Sequence, residues 1–112
     1  MFKRLEAPIL YVSDVRKAVE FYVKFFGFAV LDDDGDFVMM SLGDSKVALN
    51  KADAEDKVAG HQTIILASDS IDEDYEAISS VDVHVDLTLC DPGYGRTFII
   101  RDRDGNKIEV IE

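Results

Sequence analysis

The chain has 112 residues, 47% of them hydrophobic, which is enough apolar material for one core and too little length for two ordinary domains. With 12 basic and 23 acidic residues its formal charge is -11, so an electrostatic grip on nucleic-acid phosphates or anionic membrane surfaces is not expected. No apolar run approaches the roughly 20 residues of a membrane helix, the first residues lack a basic-then-apolar secretory profile, and the single cysteine, Cys90, excludes an intrachain disulfide; these features point to a cytoplasmic address.

Ala7 to Val12 is a short run rich in β-formers, closed by Ser13-Asp14, both good helix N-caps; it predicts a strand followed by a helix. From Val15 the apolar residues Val15, Ala18, Val19, Tyr22, Phe25 and Phe26 recur at helical steps, and Gly27 supplies the stop. That spacing assigns Phe21, Tyr22, Phe25 and Phe26 to the core. Phe28 to Leu31 reads as a strand entering the turn Asp32 to Asp36, whose Asp-Gly step suits a tight hairpin. The acidic turn is too short for a calcium loop and lacks its closing glutamate. Phe37 to Leu42 and Lys46 to Asn50 are the next strands, which makes the first half βαβββ, and the polar stretch Lys51 to Gly60 reads as a linker.

The second half repeats the pattern. Thr63 to Leu66 is a strand, Asp69 to Ser80 a short helix with acids in its first turn, and Val81 to Leu89 a strand alternating Val83, Val85, Leu87 and Leu89 with polar neighbours. Cys90 to Gly95, with one proline and two glycines, reads as a loop; Thr97 to Ile100 and Lys107 to Ile111 form a terminal hairpin around Asp102 to Asn106. The expected fold is α+β, two βαβββ repeats over about 7–50 and 61–112, within one domain spanning 1–112.

These two halves, with Leu10-Tyr11-Val12-Ser13-Asp14, Phe21-Tyr22, Phe26-Gly27-Phe28, Gly93-Tyr94-Gly95-Arg96-Thr97-Phe98 and Asp102 to Glu112 in that order, resemble the vicinal-oxygen-chelate superfamily of glyoxalases, bleomycin-resistance proteins and extradiol dioxygenases. The resemblance covers about Ala7 to Glu112; Arg103 stands where the family hairpin usually has proline, with Asp104-Gly105 keeping the turn. It implies two cupped mixed sheets facing one another around a cavity, commonly in a homodimer. It also implies four metal-ligand positions, one on each of four strands, and these fall on Ala7, Ala48, Thr63 and Glu109, of which only Glu109 bears a ligating side chain. If the third position slips by two residues, His61 takes it and gives two ligands, fewer than the three protein ligands of an ordinary catalytic zinc. The chain is thus placed nearest the metal-free bleomycin-resistance-like branch, with no cofactor expected; the alternative, a single divalent ion on His61 and Glu109, belongs to a glyoxalase-, isomerase- or dioxygenase-like enzyme.

Glu109, between Ile108 and Val110, points away from the face those two bury, where its carboxylate suits a cationic ligand or a general base, or is simply hydrogen-bonded. Related drug-binding members place an aromatic of the Gly-Tyr-Gly-Arg loop beside their ligand, which makes Tyr94 and Arg96 candidates for ligand contact, through stacking and cation–π attraction. Tyr11, Asn50, His61 and Thr63 complete the candidate ligand-binding set, lined by Ile9, Met39 or Met40, Ile65 and Ile99. His84 reads as a surface residue, and Cys90 has no neighbouring base in sequence to activate it. The favoured function is non-catalytic binding or sequestration of a small organic molecule, cationic or planar; a dimeric interaction module without ligand is the third reading. The net acidity agrees with a cationic ligand, although solubility alone also accounts for it.

Overall fold

The computed structural model describes every residue from Met1 to Glu112. In chain order the elements are β1 (Ile9–Val12), α1 (Val15–Phe26), β2 (Ala29–Asp33), β3 (Phe37–Leu42), β4 (Ser45–Lys51), β5 (Thr63–Ala67), α2 (Ile71–Ser79), β6 (His84–Cys90), β7 (Thr97–Arg101) and β8 (Lys107–Ile111). The chain divides into two compact units, Met1–Ala59 and Gly60–Glu112, each a βαβββ module of one helix and one four-stranded mixed sheet.

In the first unit the sheet order is β1-β4-β3-β2, with β1 parallel to β4 and the remaining pairs antiparallel. Helix α1 begins where the Asp14 side chain accepts the Lys17 amide at 3.1 Å, and ends at Gly27, whose φ of 76° only glycine adopts readily. It buries Val15, Ala18, Val19 and Tyr22. The sheet residues Leu10, Val12, Val38, Met40, Val47 and Leu49 are also buried, and their alternation along β1 and β3 puts them on one sheet face. Tyr22 is fully buried as expected, whereas Phe21, Phe25 and Phe26 are half-buried: they spread around the helix and stack edge-on, Phe21 lying 5.1 Å from Phe25 between ring centres.

The second unit orders its strands β5-β8-β7-β6, again with a single parallel pair, β5 with β8. Ile71 and Ile78 of α2 are buried, as are Phe98, Ile100, Ile108 and Val110 of the sheet, and Tyr75 meets Phe98 at 5.1 Å. Burying each large apolar side chain contributes about 1.5–3 kcal/mol. The β7–β8 turn is fixed by buried polar groups. Asp102 Oδ1 accepts the Asp104 and Asn106 amides, Asp102 Oδ2 accepts Asn106 Nδ2 at 2.9 Å, and Asn106 Oδ1 accepts the Gln62 amide at 3.1 Å. Thus the turn is tied to the chain that enters β5. Gly60 lies so close that a Cβ there would sit 2.0 Å from the Asp104 carbonyl oxygen.

Element types and order match the expectation, and the differences lie at element ends. Strand β1 starts at Ile9 rather than Ala7, because Pro8 has no amide to donate, although its carbonyl accepts the Ala48 amide at 3.0 Å. Strand β6 starts at His84 rather than Val81 and takes in Cys90, which pairs with Thr97 and so does not belong to the loop. Helix α2 begins at Ile71, with Ser68 Oγ accepting the Ser70 amide ahead of it.

Candidate functional site

Paired residues of neighbouring strands share a sheet face, so register locates the candidate side chains. In the second unit Thr63 pairs with Lys107, Ile65 with Glu109, and on the other side Glu109 with Ile99, Lys107 with Arg101 and Ile111 with Thr97. These residues line the face opposite the buried Ile100, Ile108 and Val110. Ile65 is 62% exposed, an apolar side chain beside a carboxylate.

Glu109 is gripped on one oxygen. Its Oε2 accepts the Tyr94 hydroxyl at 3.0 Å and lies 2.9 Å from Thr97 Oγ1, whose hydroxyl also reaches the Val110 carbonyl at 2.8 Å. Tyr94 is 68% exposed, so its ring stays accessible beside the carboxylate. The hydrogen bond to Glu109 is the main reason the Tyr94 phenol is pushed above its ordinary value of 10.0, assisted by desolvation and by the charges of Glu109 and Cys90. At neutral pH Tyr94 is therefore a donor.

The loop bearing Tyr94 is held from both ends. Asp91 Oδ1 accepts the Gly93 amide at 2.9 Å and the Gly95 amide at 3.1 Å, with both glycines at positive φ. Arg96, expected beside a ligand, turns instead to the helix: it donates to both oxygens of Asp72, with Glu112 at 3.9 Å. The Arg96 guanidinium holds the Asp72 carboxyl below its ordinary range.

The other candidates fall out as follows. Thr63 opens β5 on the Glu109 face. His61 precedes the strand and is exposed, so alternation does not carry it onto that face. In the first unit Tyr11 pairs with Asn50 and Asn50 with Phe37, while Ala48 joins Ile9 to Met39; these share a face, and Met40 lies buried on the opposite one. His84 is exposed, with Nε2 3.5 Å from Asp86 Oδ1. Of the positions at which the resemblance implies metal ligands, Ala48 offers a methyl group and Thr63 a hydroxyl; Ala7 lies before β1. No group of three or more His, Cys, Asp or Glu side chains is placed to hold a metal ion. The donor set does not fit a catalytic divalent ion, which needs about three protein ligands.

Sequence reading missed Thr97, fully buried against Glu109, and Asp72, the partner of Arg96. Thr97 was within reach: two residues before Ile99 on β7, it shares that residue's face. Asp72 was not, because a contact between α2 and the start of β7 leaves no local pattern.

The family model of the glyoxalase/bleomycin resistance protein/dioxygenase superfamily matches residues 4–110. The chain belongs to that superfamily. Solved structures with the same fold include TnmS3, an antibiotic binding protein from Streptomyces sp. CB03234, at 24% identity over 98% of this chain and 95% of that one, TM-score 0.83. TioX from Micromonospora sp. ML1 is 21% identical, covering 96% and 97% of the two chains, TM-score 0.79. The genomically encoded fosfomycin resistance protein FosX of Listeria monocytogenes, solved with Mn(II) and sulfate ion, is 18% identical over 99% and 90%, TM-score 0.78. A comparison with curated protein sequences finds no match. Structures of this fold thus include an antibiotic binding protein and a fosfomycin resistance protein, and no helix of this chain is long and apolar enough to cross a membrane.

Proposed function

We propose that this superfamily member binds a small organic cation, planar in part, without transforming it, and that Glu109 is the anchor. The observation that carries the reading is the Tyr94–Glu109–Thr97 arrangement, with the apolar Ile65 and Ile99 on either side of the carboxylate. Both hydroxyls meet Oε2, which leaves Oε1 to accept from a ligand N–H, and the exposed Tyr94 ring beside it offers a surface for stacking and cation–π attraction. Ile65 and Ile99 flank Glu109 and supply apolar contact. Thr63 belongs to the same surface, and Arg96 acts by holding the Tyr94 loop. Tyr11 and Asn50, on the corresponding face of the first unit, are the second surface assigned to ligand contact. The antibiotic-binding member TnmS3 gives the superfamily a precedent for binding. The reading places the chain in the cytoplasm as a homodimer, which light scattering checks.

The chain contains four tyrosines and no tryptophan, so tyrosine emission reports directly on ligand contact. Titration with benzamidine, a planar cation with N–H donors, is expected to quench it with a dissociation constant below millimolar. Glu109→Gln is expected to weaken binding about tenfold, since a charge-assisted hydrogen bond contributes about 1.5–3 kcal/mol. No binding below millimolar concentration, or equal binding by the variant, refutes the proposal.

A further inference from the structure

The Glu109 face has a second pole of opposite sign. Lys107 lies two positions before Glu109 on β8, on the same face, at a Cα spacing of about 6.5–7 Å. Around it stand Arg101, its partner on β7, and Asp86 and His84 of β6. Arg101 spends its guanidinium locally: Nε donates to Asp86 Oδ1 at 3.1 Å, Nη2 to Asp86 Oδ2 at 3.4 Å and Nη1 to the Gly105 carbonyl at 2.9 Å. That pairing compensates the Asp86 charge, and the Arg101 hydrogen bond is the main cause of the depressed Asp86 carboxyl. The Lys107 ammonium shares that carboxylate only loosely. Its nearest carboxylate oxygen is Asp86 Oδ2 at 4.0 Å, the side chain is 42% exposed, and its three donors can turn toward an incoming anion. In a chain of formal charge -11, Lys107 and Arg101 set two cations against the single carboxylate of Asp86 on this part of the sheet.

From this we infer that the site takes a zwitterion: a cationic N–H group at Glu109 Oε1, where Ile65 and Ile99 flank it, and a carboxylate or comparable anion at Lys107, joined by a short flat body. The inference rests on the binding function proposed above and adds a ligand class to it. The two poles also rank ligands. A simple cation leaves Lys107 unanswered, and a simple anion meets Glu109 head-on.

The test compares three probes on the purified full chain by calorimetry at low salt: benzamidine, 4-amidinobenzoate and benzoate. 4-Amidinobenzoate is expected to bind about fivefold more tightly than benzamidine, the gain from one partly exposed ion pair of about 1 kcal/mol, with benzoate weakest of the three. In Lys107→Met the ratio of the two amidines falls to about one, a readout taken within one protein and independent of changes in its stability. Equal affinity of the two amidines for the unmodified chain overturns the zwitterion assignment and leaves cation binding standing. An affinity ratio that survives Lys107→Met overturns the role of Lys107, and failure of all three probes to bind overturns both readings.

Discussion

At the scale of single residues, the account turns on two hydroxyls and one carboxylate. The Tyr94 phenol is raised by its bond to Glu109, so the contact is intact below pH 10.0, the ordinary value, and is lost as pH rises through the higher folded value. In a spectrophotometric titration the Tyr94 phenol should therefore ionise late, and Glu109→Gln should return it toward the ordinary range. A titration curve unchanged by that substitution would contradict the geometry. Asn106 makes the complementary structural case. It is fully buried and joined to Asp102 and to the Gln62 amide, so Asn106→Ala strands buried partners and should cost about 2–4 kcal/mol in denaturant unfolding.

At the scale of elements, helix α1 was legible from sequence because its cap, its spacing and its stop are all local, and β3, β7 and β8 because apolar residues alternate or cluster between turn signals. The start of β6 was not legible. Val81 and Val83 continue the alternation, but pairing with Arg101 begins only at His84. Glu109's orientation followed from alternation alone, whereas the role of Arg96 did not, since its partner Asp72 is 24 residues away in sequence and fixed by how α2 meets the sheet. The Tyr94 loop depends on that clamp. Asp72→Asn should loosen the loop and weaken benzamidine binding, leaving the far-ultraviolet dichroism of helices and sheets unchanged. Gly60→Ala acts on another junction, the approach of β5 to the β7–β8 turn. Its Cβ would meet the Asp104 carbonyl at 2.0 Å and its φ of +84° disfavours any side chain, so a loss of at least about 2 kcal/mol is expected.

For the whole molecule, charge sets the pH response. Asp72, Asp86 and Glu6 have depressed carboxyls, from hydrogen bonds with Arg96, Arg101 and Lys46 respectively. Depressed acids contribute stability that is present above their ordinary values of 3.8 and 4.5 and lost as pH falls through the lower folded values. All three lie at the surface, so a modest fall in stability is expected below about pH 4, and Asp72→Asn with Asp86→Asn together should flatten it. The formal charge of -11 attracts small cations at long range, an attraction that weakens as salt rises. The superfamily fold leaves both binding and metal catalysis open; the donor set around Glu109 is the ground on which binding is proposed. The decisive measurement is benzamidine titration by calorimetry in the presence of EDTA and again with excess Mn(II), on the unmodified chain and on Glu109→Gln. The account predicts the same submillimolar affinity under both conditions and about a tenfold loss in the variant; binding that requires the metal, or that ignores the substitution, would contradict it.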